Sequence, residues 1–267
     1  MTIRRIIACF ALVIILSLVS SIARAQRIAI DVLEPAGREA VKAFPVAVGI
    51  VLPQGTMVAE PGGPSGPGEV GGKLVDDAGN SIPVYAQATG WWNKEKTDPK
   101  WILLRFNADT DRKYFFEVAG EPTAVDAGSL ITQIDQQITI NTGPLQTTLV
   151  PNAGLIQSLE LNGKPMLAAR GLGAVVTINR GKSKRAAAMS DWTLSVIEDS
   201  PVRAVIDATA DFTDTHGADF PYRAAQVTLR FEFHKNESFV RLYHTFMWLA
   251  MNPIAAVVIT IVVLIRL

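Results

Sequence analysis

The chain has 267 residues, 49% hydrophobic and 19% charged, with 25 basic residues balanced by 25 acidic residues. This length accommodates one large core or two domains of ordinary size. Because the charges balance and no basic run is interleaved with aromatic residues, the composition argues against nucleic acid or an anionic surface as a partner.

The first 25 residues have the three-part organisation of a signal peptide. A basic start with Arg4 and Arg5 precedes the apolar run 6–22, and residues 23–25 (Ala-Arg-Ala) provide an A-x-A cleavage site. We therefore predict an exported protein, periplasmic or extracellular, with a signal helix at residues 1–25; an uncleaved anchor is the alternative. Cleavage leaves 22 basic against 25 acidic residues, a net charge of −3, and removes Cys9, the only cysteine. The exported chain then folds without a disulfide.

Short apolar or alternating segments fill the first half of the exported chain. Strands are predicted at residues 27–34, 44–53, 73–76, 81–88, 100–106 and 113–118. Pro83 predicts that its strand lies at a sheet edge or starts there. Glycine and proline between residues 57 and 72 predict an irregular surface loop. No segment carries a sustained 3.6-residue stripe, so the region is predicted to be all-β.

A composition shift at residues 122–128 predicts a boundary between two β domains, 26–128 and 129–246. Beyond it, predicted strands recur every 8–14 residues, and Asn162-Gly163 is a strong hairpin signal. This spacing is typical of an antiparallel β-sandwich.

Residues 226–246 carry the clearest strand pattern in the chain. Apolar residues from Val227 to Phe233 alternate with polar ones, the polar turn 235–238 follows, and alternation resumes from Val240 to Phe246. This period-2 pattern predicts a β-hairpin, which we expect to be the central pair of an antiparallel sheet.

Six of these stretches together resemble the exo-rhamnogalacturonan lyase-like family. They are FPVAVGIVLPQG (44–55), LVDDAGNSIPVYAQATGWW (74–92), KWILLRFNAD (100–109), ITINTGPLQTTLVPNAGLIQSLELNGKP (138–165), SPVRAVIDATADF (200–212) and YRAAQVTLRFEFHKNESFVRLYHTF (222–246). The resemblance implies a small RIFT-type β-barrel at 26–128 and an antiparallel β-sandwich at 129–246. It also implies an exported protein that acts on acidic plant-type polysaccharide.

The chain departs from that family where a C-terminal α/α toroid would follow. A lyase needs a base beside the uronate carboxylate and a cation to neutralise it, and the family assembles that site between domains. We therefore expect an inactive, truncated portion of a carbohydrate-active protein that retains polysaccharide binding. The alternatives are a membrane-anchored polysaccharide lyase and a stand-alone carbohydrate-binding module.

Two pairs of adjacent residues that contain aromatic rings are the first candidates for carbohydrate binding. Trp91 and Trp92 lie in a loop-like context, where they could stack on sugar rings or plug the end of a barrel. Tyr222 and Arg223 follow a turn and combine a stacking ring with a fork that binds carboxylates. Packing at the start of a strand is the alternative for that pair.

The second strand of the predicted hairpin supplies three further candidates. Arg241 and Tyr243 share one face, opposite Arg230 and Glu232, where either uronate binding or cross-strand ion pairing is expected. His244 shares the other face with apolar residues, which favours a packed histidine over a catalytic one. The loop 213–219 (TDTHGAD) matches no calcium or zinc signature, so the sequence predicts neither a metal nor a cofactor.

Residues 247–265 (MWLAMNPIAAVVITIVVLI) form an apolar segment close to the C-terminus. A run of this length spans a bilayer core as a helix, so a hydrophobic transmembrane helix at 247–267 is predicted. An out-of-frame product of a disrupted gene is a second interpretation. A buried strand is a third, because valine and isoleucine dominate residues 257–263.

Overall fold

A computed structural model describes residues 26–34, 39–59, 68–118, 128–152, 154–167, 175–180, 183–189, 191–214, 222–248 and 257–266. Within these ranges every helix or strand assigned is a β-strand, and every sheet pairing is antiparallel. The all-β prediction is therefore confirmed for this part of the chain. The predicted signal helix at 1–25 lies outside it.

Residues 26–118, which we call the N-terminal unit, form two sheets around one core. The strands are β1 (Arg27–Val32), β2 (Phe44–Val51), β3 (Lys73–Asp76), β4 (Ser81–Ile82), β5 (Val84–Trp91), β6 (Pro99–Ala108) and β7 (Arg112–Glu117). The sheet orders are β1-β7-β3-β4 and β2-β6-β5. Pro83 separates β4 in one sheet from β5 in the other, a position where its missing N–H interrupts no ladder. Leu74, Ile102, Leu104 and Phe116 are fully buried between the sheets.

Residues 128–266, which we call the C-terminal unit, have a sandwich-like arrangement. The strands are β8 (Ile131–Ile134), β9 (Gln137–Asn141), β10 (Leu145–Leu149), β11 (Ile156–Leu161), β12 (Lys164–Pro165), β13 (Val175–Arg180), β14 (Ser183–Ala188), β15 (Thr193–Asp199), β16 (Arg203–Asp214), β17 (Tyr222–His234), β18 (Phe239–Trp248) and β19 (Val257–Arg266). Two five-stranded sheets, β12-β11-β10-β9-β8 and β15-β16-β17-β18-β19, contribute to a second core; β13 and β14 form a separate pair. The residues 119–127, where a domain boundary was predicted, lie outside the described ranges.

The predicted hairpin at 226–246 is confirmed as β17 and β18. Phe231 and Phe233 are buried in the second core, and β17 is the middle strand of its sheet. Asn236 in the turn has a φ of 65°, in the left-handed region that asparagine tolerates better than most residues.

Part of the segment for which a C-terminal helix is predicted lies within the described residues. Residues Val257–Arg266 form β19, antiparallel to β18, and Met247 and Trp248 belong to β18 itself. The free edge of β18 offers unpaired N–H and C=O groups, and β-branched residues favour a strand over a helix. Residues 257–266 are thus a strand in the structure, residues 249–256 lie outside the described ranges, and a membrane-spanning helix over the whole segment stays a prediction. Among the residues that the structure describes, no helix is long and apolar enough to cross a membrane.

Replacing Gly72 with alanine should destabilise the N-terminal unit. A Cβ at this position would lie within 2.5 Å of Cε2 of Phe116, and closer still to its Cζ, in a core where Phe116 is fully buried. Overpacking of this kind costs about 1–3 kcal/mol. Denaturant unfolding of the full chain measures it. Gly49→Ala is the matched control, because a Cβ there meets nothing within 4 Å. Equal midpoints for the two variants would contradict the prediction.

Candidate functional site

A cavity of about 170 Å³ lies where the two units meet. Strands β2 and β6 form its wall on the N-terminal side, and the β17–β18 hairpin with the start of β16 forms the other wall. The lining residues are 44–47, 105–107, Val202, Arg203, His234, Phe239 and Arg241.

Alternation along β6 brings two polar side chains to this junction. Ile102, Leu104 and Phe106 enter the first core, so Arg105 and Asn107 emerge on the opposite face. Asn107 donates an amide hydrogen bond to the carbonyl of Lys235 at 2.9 Å. The guanidinium of Arg105 lies 3.3 Å from the carboxylate of Glu198. Both contacts join one unit to the other.

Five charged side chains form a continuous ion-pair network along this junction. Glu198 pairs with Arg105 and, in a two-pronged contact, with Arg203. Arg203 also approaches Glu232 at 3.6 Å, and Arg241 donates to Glu232 at 3.3 Å. Both glutamates are almost fully buried. Three guanidinium groups against two carboxylates give the network one excess positive charge.

Burial alters the ionisation of Arg105 in the network and of the neighbouring His234. Desolvation lowers the pKa of Arg105 below its ordinary value, and the negative charge of Glu198 opposes that shift. Burial, reinforced by the positive charges of Arg203 and Arg241, lowers the pKa of His234 to about 4. His234 is therefore a neutral imidazole at neutral pH, set among cations.

Two buried polar atoms beside the cavity have no hydrogen-bond partner among the described residues. They are Oδ1 of Asn107 and Nε2 of His234, and both residues line the cavity. A buried polar atom without a partner costs about 1–3 kcal/mol. Such atoms are the groups that an entering polar ligand can satisfy.

Of the residues predicted from the sequence, Arg241 and Tyr243 join this network. Arg241 lies directly across from Glu232 and pairs with it, which confirms the expected cross-strand ion pair. The Tyr243 hydroxyl donates to the same carboxylate at 3.4 Å. Arg230, the other expected partner, binds Asp207 through two short contacts instead. His244, opposite Leu229, is half-buried, on the strand face whose neighbours Leu242 and Phe246 pack on the second core.

The two tryptophans predicted from the sequence occupy structural positions at the end of β5. Trp91 packs against the first core. The Trp92 indole donates to the carbonyl of Leu52 at 2.9 Å, and the Lys100 ammonium lies 4.4 Å from its ring centre. Trp92 remains 40% exposed, but one part of its ring is already engaged.

The structure does not bring the remaining two predicted residues to the cavity. Tyr222 pairs with Asp214, and Arg223 with Thr213, at the start of β17. His234 ends the same strand twelve residues later, roughly 40 Å away along an extended chain. Tyr222 and Arg223 therefore lie far from the ion-pair network.

Comparison with known proteins gives a fold likeness and no family. No family model matches the chain, and no curated protein matches it. An alpha-mannosidase from Enterococcus faecalis V583 is similar in structure, with a TM-score of 0.50 and 8% identity over 77% of this chain and 29% of that one. A glycosyl hydrolase family 38 protein from Enterococcus faecalis has a TM-score of 0.46 and 9% identity over 66% of this chain and 26% of that one. This chain thus spans under a third of either protein, and the first likeness supports the all-β fold alone.

Sequence reasoning missed most of the residues that line the cavity. Arg105, Asn107, Arg203 and His234 read as ordinary outward-facing strand residues, since each alternates with an apolar neighbour. Their alternation could have placed them on the polar faces of their strands. It could not show that two of those faces meet.

Proposed function

We propose that this chain is a non-catalytic, exported portion of a carbohydrate-active protein, and that it binds an acidic polysaccharide at the cavity between its two units. The observation that carries the proposal is the pairing of a cationic network with two unpartnered polar atoms in one small cavity. The sequence resemblance to exo-rhamnogalacturonan lyases and the fold likeness to an alpha-mannosidase support a carbohydrate ligand by analogy.

Arg241 is the cation best placed to receive a carboxylate. Its side chain is 41% exposed, against 15% for Arg105 and 18% for Arg203, and a single 3.3 Å contact joins it to Glu232. Among the described residues Glu232 is the acceptor that its guanidinium contacts, which leaves N–H groups for the forked contact that guanidinium makes with carboxylates.

The unpartnered atoms favour an acidic sugar over a simple anion. Oδ1 of Asn107 only accepts hydrogen bonds, so an ion without hydrogen atoms leaves it unsatisfied. A uronate sugar carries a carboxylate for Arg241 and hydroxyl groups that donate to Asn107 or bond with the neutral imidazole of His234. The cavity is smaller than the roughly 300–1,000 Å³ of pockets for drug-sized ligands, so we expect it to hold one sugar unit.

Replacing Arg241 with methionine should weaken binding of galacturonate and of oligogalacturonates about tenfold or more. The reason is that a hydrogen bond to a charged group contributes roughly 1.5–3 kcal/mol. Isothermal titration of the full chain at low salt measures the effect, with a neutral galactose oligomer as the ligand control. Arg230→Met is the matched variant, because Arg230 lies on the adjacent strand, binds Asp207 and does not line the cavity. Equal affinity in both variants, or equal binding of the neutral oligomer, would refute the site.

A lyase acting by β-elimination on a uronate polymer is the second candidate. It is favoured by the neutral imidazole of His234 beside guanidinium groups, a base and a carboxylate neutraliser in one cavity. The low pKa makes His234 a weak base, however. The non-catalytic proposal therefore expects no unsaturated uronate, detected by its ultraviolet absorbance, when the full chain is incubated with polygalacturonate. Product formed by the full chain and lost in His234→Gln would establish the lyase instead.

A further inference from the structure

The outer face of the sheet β2-β6-β5 leads out of the cavity. Its side chains form three rows across the strands, given by the register as Ala47–Arg105–Tyr85, Gly49–Leu103–Gln87 and Val51–Trp101–Gly90. Directly paired residues in an antiparallel sheet project to the same side, so these rows share one surface.

One end of this surface is covered and the other is open. Tyr85 is 8% exposed, and its pKa is raised by burial and by the charge of Glu198 from the C-terminal unit. Gly49 and Val51 are exposed, and a Cβ added at Gly49 meets nothing within 4 Å. The row with Arg105 and Ala47 belongs both to the cavity and to this surface. The open face therefore begins where the cavity ends.

Trp101 provides an aromatic platform at the open end. It is 46% exposed, and a Cβ at Gly90 would lie 2.9 Å from its Cδ1. The indole therefore rests against the backbone at Gly90, which has no side chain to lift it from the sheet. A ring that is already held against the backbone offers its exposed part for stacking on the apolar face of a sugar, at a low cost in rotamer freedom.

Between the platform and the cavity the strands β2, β6 and β5 contribute no charged side chain to this surface, and the carboxylate of Glu69, which pairs with Gln87, lies at its margin. Gly49, Leu103 and Gln87 form the intervening row, and Trp101 and Arg105 are four residues apart, about 13 Å along a strand. A cavity that holds one sugar leaves the rest of a polymer outside it. A strip with a cationic cavity at one end, an indole ring at the other and a carboxylate at its margin fits a saccharide chain that is neutral beyond its acidic end.

We propose that this strip is an extension subsite for a saccharide chain, with the sugar in the cavity as its acidic end and Trp101 as the stacking platform. This inference rests on the proposed function, because the cavity fixes where the chain begins. It predicts that affinity rises with oligosaccharide length until the ligand reaches Trp101, and is then constant.

The test titrates into the full chain galacturonate alone and neutral galactose oligomers of increasing length that carry one galacturonate unit at one end. Trp101→Ala should lower affinity for the long oligomers on the order of tenfold, and leave galacturonate within about twofold of the original chain. Gly49→Phe should also lower affinity for the long oligomers, because the ring obstructs the strip. This variant is expected to fold, since a Cβ at Gly49 meets nothing within 4 Å and phenylalanine favours strands. Ile134→Ala is the control, because Ile134 is a 65% exposed apolar residue on β8 of the other unit.

The outcomes separate the two proposals. Length-dependent affinity that both Trp101→Ala and Gly49→Phe abolish supports the strip. Binding of galacturonate that does not strengthen with length, or that strengthens equally in Trp101→Ala, overturns the strip and leaves the cavity proposal standing. Failure of galacturonate and every oligomer to bind overturns both.

Discussion

Replacing Glu198 with glutamine is expected to lower the free energy of unfolding by about 3 kcal/mol, since breaking one side of a buried ion pair costs roughly 3–5 kcal/mol. Glu198 is 7% exposed and bridges Arg105 of the N-terminal unit and Arg203 of its own unit. Without the carboxylate, Arg105 keeps a desolvated charge with no carboxylate beside it. Arg203 retains Glu232, which places the expected loss at the lower end of the range.

Chemical denaturation of the full chain measures this loss. Asp31→Asn is the control, because Asp31 and Lys113 form an exposed ion pair at 3.9 Å, worth about 0–1 kcal/mol. Adding Arg105→Met to Glu198→Gln should recover part of the stability, since it removes the uncompensated charge. If Glu198→Gln unfolds at the same denaturant concentration as Asp31→Asn, the network does not hold the two units together.

The strands that the sequence predicted best are those whose partners lie close by in the chain. In β17 and β18 a half-buried sheet face and a four-residue polar turn leave one register compatible with burial of Phe231 and Phe233. That same local register placed Arg241 opposite Glu232 correctly. Local alternation and turn chemistry were sufficient here because both partners lie within about twenty residues of each other.

For the C-terminal apolar segment, the residues of the segment alone do not decide between a helix and a strand. The apolar segment 247–265 suits a membrane helix by its length and hydropathy, whereas the valine and isoleucine residues within 257–263 suit a strand by β-branching. The choice depends on whether a sheet edge is available, and β18 provides that edge. An edge strand is a property of the assembled sheet, so the segment's own residues could not reveal it.

The cavity could not be predicted from the sequence for a related reason. Its charged network draws on β6, β16 and β18, together with Glu198 of β15 and Glu232 of β17. Alternation identified the outward face of each strand, but Arg105 and Trp101 look alike in that pattern although one is covered by the C-terminal unit and the other is exposed. Which outward face is covered depends on how the units pack, and no spacing within one strand encodes it.

His234 should make the protein markedly acid-sensitive well above the range where surface carboxylates protonate. Burial and three neighbouring guanidinium groups lower its pKa from about 6.5 to about 4. Between these values the unfolded chain binds a proton that the folded chain does not, so acidification favours unfolding. The contribution is fully present above pH 6.5, falls as the pH drops and is lost by about pH 4, in total roughly 3 kcal/mol at ~1.4 kcal/mol per pH unit.

Denaturant unfolding of the full chain and of His234→Gln at intervals from pH 7 to pH 4 isolates the contribution of His234 to stability. The three neighbouring guanidinium groups and the paired Glu198 and Glu232 are present in both proteins. The difference between the two stability curves therefore reports the imidazole alone. We expect this difference in stability to change by roughly 3 kcal/mol across the interval. The same change is expected between His244→Gln and His234→Gln, since the His244→Gln variant retains His234. A constant difference would mean that the pKa of His234 is not lowered by folding. The premise of a neutral imidazole among cations in the cavity would then fail.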